Sequence, residues 1–183
     1  EAPERTAADG RIFRPWLAGL EASRRLIRRG RPDHLGYDSN STQGLAFTDA
    51  DRDDAAGKPA ADIVDNRLED LWFGFFTWNA EGIQVLRNTV DGSHVYGLDP
   101  HDATRDMLIA ENVVQGTRDS HGIVMSRRIH DTVVSRNRSI ANGGAGFFLD
   151  KGSWNVTFAG NESFDNGTDG ITIYESRDVT ILD

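Results

Sequence analysis

The sequence predicts an all-β fold, a right-handed parallel β-helix (a β-solenoid) wound at 22–25 residues per turn. Three observations predict it. A column of asparagines closes short apolar runs: Asn66 in DIVDN, Asn88 in IQVLRN, Asn112 in MLIAEN, Asn137 in TVVSRN and Asn161 in VTFAGN, at steps of 22, 24, 25 and 24 residues. A column of glycines opens another run: Gly74, Gly97, Gly122, Gly146 and Gly170, at steps of 23, 25, 24 and 24. Behind each glycine the hydrophobicity alternates with period two, the signature of a strand with one buried face. Two columns in phase over five turns are what a stacked repeat requires.

Each element can be justified in chain order. Residues 10–32, GRIFRPWLAGLEASRRLIRRGRP, suit either a basic amphipathic helix or a first turn of the solenoid with Gly30 and Pro32 at its corner. The solenoid turn is the reading adopted, which divides the chain into an N-terminal segment (1–32) and a β-helical domain (33–183). Gly44 in TQGLAFT fits an early turn, and residues 49–62, DADRDDAAGKPAAD, read as a polar loop inserted between turns. After each later glycine the first position is Phe75, Leu98, Ile123, Phe147 or Ile171 and the third is Thr77, Pro100, Met125, Leu149 or Ile173, so both point inward. The second and fourth positions are mixed and point outward. The asparagines are read as turn residues that stack on one another and bond the turn backbone. Asn40, Asn137, Asn155, Asn161 and Asn166 stand in N-x-S/T triplets. The asparagine column and the Ser/Thr-rich turns generate that pattern, so it is not read as glycosylation. The last residues, RDVTILD, stop where another turn is due, so a longer natural chain is expected.

Bulk properties narrow the function. The 183 residues suit one domain with a substantial core. A net charge of −9 argues against a general nucleic-acid or anionic-membrane binder, and requires that any polyanion be held by a local basic groove. With no cysteine there is neither a disulfide scaffold nor a thiolate metal site. No apolar segment is long enough to read as a membrane span or a signal-peptide core.

The chemistry collects in VYGLDPHDATRD, residues 95–106. Asp99 and His101 take the second and fourth positions after Gly97, so both face outward from one strand. One turn later the same outward line runs through Val124, Ser126 and Arg127, and then through Phe148, Asp150 and Lys151. Tyr96 and His121 stand just before their glycines, at the opposite edge of this face. Neighbouring parallel strands lie about 4.8 Å apart, so His101 and Arg127 should share one groove. An imidazole beside a guanidinium suits removal of a proton next to a carboxylate, because that proton is very weakly acidic until the carboxylate charge is neutralised. A guanidinium supplies a planar, two-pronged donor for that purpose.

The motif YGLDPHD, followed by LIAENVVQGT, HGIVMSR, AGFFLDKGS and DGITIYES, resembles the catalytic β-helix of the mannuronan C-5 epimerases, the periplasmic type most closely, over residues 33–183. The resemblance implies polymer-level conversion of mannuronate to guluronate in alginate or a related polyuronate. It implies His101 as the base at C5, Arg127 as the cation for the sugar carboxylate, and Tyr96 or a water as the acid on the opposite sugar face. Asp99 is expected to position His101 or Arg127, and Asp102 to do so from the turn. Arg118, His121, Arg128, Asp150 and Lys151 are expected along the sugar subsites. The chain departs from the family in TRDSHG, where Arg118 alone remains of a basic run, at Arg128, where an acidic residue is usual, and at Lys151, where arginine is usual. No cofactor is expected; the aspartates raise the question of calcium, but no dense Asp/Asn/Gly loop supports it. A polysaccharide lyase sharing the C5 proton abstraction, and a non-catalytic sugar-binding β-helix, are the alternatives. The resemblance places the protein in the periplasm or outside the cell. Phe76 and Trp78 are outward rings that could stack on a sugar.

Overall fold

The computed structural model describes residues 5–6, 12–13, 17–20, 24–37, 43–49 and 57–183. Apart from one short antiparallel pair, Arg5–Thr6 with Ile12–Phe13, its strands form three parallel sheets wound about one core. The front sheet has seven strands: Leu17–Leu20, Gly44–Thr48, Phe73–Trp78, Asp99–His101, Ile123–Ser126, Phe147–Asp150 and Ile171–Ile173. The long sheet also has seven: Arg24–Arg28, Ala60–Val64, Gln84–Leu86, Arg105–Ala110, His130–Ser135, Trp154–Ala159 and Arg177–Leu182. A short sheet of five strands, Arg67–Glu69, Thr89–Asp91, Val113–Gln115, Arg138–Ile140 and Glu162–Phe164, closes each turn. From Ala60 onward the chain visits long, short and front sheets in that order turn after turn, so this is a parallel β-helix. No helix of the described residues is long and apolar enough to cross a membrane.

The inward columns are those the alternation predicts. Phe75, Leu98, Ile123 and Phe147 from the front sheet meet Ile63, Val85, Ile109 and Phe158 from the long sheet and Leu68, Val90 and Val114 from the short one, all buried. Removing such a side chain from water stabilises the fold by about 1.5–3 kcal/mol each. Leu17–Leu20 pairs with Gly44–Thr48 and Arg24–Arg28 with Ala60–Val64, so these segments extend the same two sheets. Of the loop read over residues 49–62, residues 50–56 lie outside the described residues, as does Asn40. Its last residues already belong to the strand Ala60–Val64, whose buried Ala61 and Ile63 alternate with less buried neighbours, as in any other turn. A buried ion pair, Lys58 Nζ to Asp49 Oδ2 at 2.9 Å, joins the two flanks of that loop, and Asn79 Nδ2 donates to the same carboxylate.

The asparagine column carries the register between turns. In each pair the Oδ1 of the later asparagine accepts both the backbone N–H and the Nδ2 of the earlier one, at 2.9–3.0 Å along Asn66, Asn88, Asn112, Asn137 and Asn161. Each Nδ2 also donates to a carbonyl of the long sheet: Ile27, Ile63, Val85, Ile109 and Val134 in order. A second, shorter ladder, Asn142 on Asn166 with Ser139 and Ser163, ties the short sheet to Gly146 and Gly170 before the last front strands.

These ladders predict a graded response to substitution. Asn112 is fully buried and its side chain makes four hydrogen bonds. Asn112→Ala should lower unfolding stability by about 3 kcal/mol or more, since each buried partner left unpaired costs roughly 1–3 kcal/mol. Asn155→Ala, on the surface, should cost less, about 1 kcal/mol, because it loses one exposed bond to Asp131 and puts alanine where asparagine tolerates the left-handed backbone better. Urea unfolding followed by circular dichroism distinguishes the two.

Candidate active site

The front sheet sets its outward side chains on a grid. His101 pairs with Trp78 on one side and Ser126 on the other, and Ser126 pairs with Asp150. Two residues earlier, Asp99 pairs with Phe76, and Val124 with Phe148. Before the glycines stand Phe73, Tyr96 and His121. After the strand a turn follows in which consecutive residues take the left-handed conformation: Asp102 and Ala103, Arg127 and Arg128, Lys151 and Gly152. Only glycine adopts that conformation without strain. Its repetition at an alanine and two arginines shows that stacking imposes the bend, which brings Asp102, Arg127 and Lys151 to one rim.

Outward does not mean exposed on this face. Asp99 is 2% exposed and Val124 and Phe76 are also buried, although the alternation sends all three away from the core. Aromatic rings cover them. Phe73 stacks on Tyr96 (5.4 Å) and Phe76 (5.9 Å), Tyr96 on His121 (6.1 Å), His121 on Phe148 (4.4 Å), and Phe76 lies against His101 (5.7 Å). Phe73 and Phe148 are thus part of the site's wall. The strand count places them outside, but large apolar residues read as core by default. Trp78 is left more exposed, 38%, in the same column as His101.

His101 and Arg127 meet through Asp102. The His101 Nδ1 lies 2.7 Å from Asp102 Oδ2, and Arg127 Nη1 lies 3.7 Å from the same oxygen. A carboxylate only accepts, so Nδ1 carries the proton and the lone pair of Nε2 is free. Burial pushes the His101 pKa below the ordinary histidine value; Asp102 opposes that shift and the Arg127 charge adds to it. Burial also raises the Tyr96 phenol, helped by the charge of Asp99 and then Asp150, and opposed by a hydrogen bond with Ser120. Asp99 was expected to orient His101 or Arg127; the residue that bonds His101 is Asp102. Asp99 instead sits beneath the rings with Oδ1 unpaired, and burial, then Asp150 and Asp102, raise its pKa well above the carboxylate range. Asp150 is likewise buried with Oδ1 unpaired, and Lys151 Nζ stands 4.0 Å from its other oxygen.

The remaining candidates separate. His121 sits inside the ring row, its Nδ1 accepting the Ala145 N–H at 2.8 Å. Arg128 is exposed beside Arg127 and bonds Lys151 only through the backbone. Arg118 is drawn off to the turn before Tyr96, where its guanidinium pairs with Asp70 and with His94, whose ring stacks on Trp72. The site therefore offers a free imidazole lone pair, a guanidinium, a phenol and two buried carboxyls within one aromatic-walled groove, a set suited to moving a proton beside a carboxylate.

A family model described as periplasmic copper-binding protein (NosD) matches residues 39–183. The chain belongs to that family, and it is also related to the mannuronan C5-epimerases. It is 35% identical over 168 residues to the mannuronan C5-epimerase of Pseudomonas syringae pv. tomato, covering 90% of this chain and 31% of that protein. Against the mannuronan C5-epimerase AlgG of Azotobacter vinelandii the identity is 32% over 168 residues, with 90% and 32% covered. The crystal structure of the periplasmic alginate epimerase AlgG superposes with a TM-score of 0.90 at 32% identity, over 97% of this chain and 42% of that one. The chain spans about a third of the length of the curated relatives it matches. The copper in the family's description does not fit this site. Copper sites draw on cysteine, methionine and clustered imidazole ligands. The chain has no cysteine, Met107 and Met125 are buried in the core, and among the described residues no three His, Cys, Asp or Glu side chains are grouped to hold a metal ion.

The buried Asp99 yields a stability test. Its raised folded-state pKa means that the folded chain keeps a proton which the unfolded chain, at about 3.9, releases. Its effect on stability therefore becomes more unfavourable as pH rises from about 4 through the folded value. Asp99→Asn should melt higher than the parent at neutral pH, with the gap closing toward about pH 4. Thermal unfolding at both pH values checks the sign.

Proposed function

We propose that this chain carries the catalytic face of a mannuronan C5-epimerase, converting β-D-mannuronate to α-L-guluronate within the polymer. The single observation that supports it most is the Arg127–Asp102–His101 contact at the rim of a face lined by aromatic rings. In this reading Arg127 takes the sugar carboxylate through its planar fork, so charge developing there on loss of the C5 proton is neutralised. His101 removes that proton through Nε2, with Asp102 holding the ring and stabilising the imidazolium. The proton is returned on the opposite sugar face by Tyr96, kept protonated by its surroundings, or by a water. The substrate is an anionic polyuronate, the reaction needs no cofactor, and the protein works in the periplasm, as AlgG is described. Arg128 and Lys151 supply the local positive charge that a chain of net charge −9 needs to hold a polyanion.

Incubation with polymannuronate separates the readings. Guluronate signals in the proton NMR spectrum are the expected result. Ultraviolet absorbance from unsaturated ends would mean a lyase, and neither product would mean a binding module.

Two further outcomes follow from the geometry. Because His101 must be neutral to act, activity should rise with pH along a limb centred below the usual histidine value of about 6.5. Asp102→Asn removes the contact that raises the His101 pKa, so it should move that limb further toward acid while lowering the plateau rate; kcat measured against pH reads both. Arg127→Lys, which keeps charge but loses the fork, should retain only a trace of turnover, on the order of a hundredth, given about 1.5–3 kcal/mol for a charged hydrogen bond.

A further inference from the structure

The two histidines of the groove are held in opposite tautomers. His101 is gripped through Nδ1–H by a carboxylate, which frees its Nε2 lone pair. His121 is gripped the other way: its Nδ1 accepts the Ala145 backbone N–H at 2.8 Å, so in the neutral ring the proton stands on Nε2. Ala145 is fully buried, and stripping its N–H of a partner would cost about 1–3 kcal/mol.

The ring is held at its Nδ1 edge and by stacked neighbours. Tyr96 stacks against it with planes 3° apart, and Phe148 at 4.4 Å. A Cβ added at Gly144 would stand 2.6 Å from Nδ1 and 3.0 Å from Cε1, so the backbone there approaches as closely as a residue without a side chain allows. The ring can neither rotate nor flip without losing its bond or colliding. Among the described residues, Nε2 meets no acceptor.

We infer that His121 is a fixed, neutral hydrogen-bond donor, whose Nε2–H takes an acceptor oxygen of a bound uronate unit: a hydroxyl, ring or carboxylate oxygen. This rests on the epimerase reading for the identity of the ligand, and not for the tautomer. His121 is then not a base. A base needs a lone pair facing the substrate, and the lone pair of this ring faces Ala145. The charged group that acts on it, Asp150, favours protonation, but burial outweighs it, and a proton on Nδ1 would meet the Ala145 N–H head-on. A neutral donor adds no charge to the groove, so it orients the sugar without competing with Arg127 for the carboxylate. The phenol of Tyr96, one strand earlier in the same row, is the other titratable neighbour.

Ring-nitrogen NMR on the purified protein tests this directly. His121 should show the neutral Nε2–H pattern at about pH 8, with any midpoint below the ordinary histidine value of about 6.5. Addition of trimannuronate should then move its Nε2 resonance. A midpoint at or above that value, a proton on Nδ1 of the neutral ring, or trimannuronate that binds elsewhere in the groove and leaves Nε2 unmoved would each overturn the proposal. If trimannuronate perturbs no resonance and no guluronate is formed, the epimerase reading fails and takes the assigned ligand with it, whatever the tautomer. Kinetics give a second reading. His121→Phe keeps a ring in the stack but loses the donor, and should raise KM for polymannuronate about tenfold, the factor for one hydrogen bond of about 1.4 kcal/mol, without moving the acid limb of the pH profile. His121→Gln, which restores an N–H, should recover most of that loss. An unchanged KM in a folded His121→Phe protein, or a displaced acid limb, would contradict the inference.

Discussion

A buried amide ladder sets the geometry on which everything else in this protein depends. Each asparagine of the column from Asn66 to Asn161 bonds the backbone and the side-chain amide of its neighbour one turn away, and also reaches a carbonyl of the long sheet. A slip of one residue between turns would break several buried hydrogen bonds at once and would turn the front sheet inside out, because side chains alternate faces. Fixed phase means that residues 24 or 25 apart in sequence are neighbours in space. The site uses this: His101 and Asp102 come from one turn, Ser126 and Arg127 from the next, and Asp150 and Lys151 from the one after.

On that rigid grid, function comes from what each polar group is allowed to bond. The two groove histidines are chemically identical in sequence, yet one faces the groove with a lone pair and the other with an N–H, because their Nδ1 partners are a carboxylate in one case and a backbone amide in the other. The carboxyls diverge in the same way. Asp102, at the rim, touches His101 and Arg127, while Asp99, three residues earlier, is sealed under rings with an unpaired oxygen. Carrying such a buried acid costs stability at neutral pH, and proteins commonly place such costs at functional sites.

Much of this was legible in the sequence. The asparagine and glycine columns gave the turn length, and the alternation after Gly74, Gly97, Gly122 and Gly146 gave the buried faces. His101 and Arg127 fell on one groove by counting alone. What counting could not supply is how side chains lean. It placed Asp99 outward, which is correct for its Cβ, but not the rings of Phe73 and Tyr96 folded over that part of the sheet. It set Arg118 beside His121, but not the carboxylate of Asp70, 48 residues earlier, that draws the guanidinium away. It put His121 along the sugar subsites but not which ring nitrogen faces the sugar, since a histidine's tautomer is decided by a partner, here Ala145, that no local motif announces. The start of the strand Ala60–Val64 was hidden by a run of alanines and charges that reads as loop. In each case the missing information is a contact made between turns.

The central claim is that His101, tuned by Asp102 beside Arg127, is the group that takes the proton from C5. Reaction in deuterated water tests it most directly, because it follows the hydrogen itself. The parent protein should place deuterium at C5 of the guluronate it forms, and His101→Asn, an outward substitution that leaves the core untouched, should fold but place none in either sugar. Deuterium entering C5 at a comparable rate in folded His101→Asn protein would contradict the account and move the base to another residue.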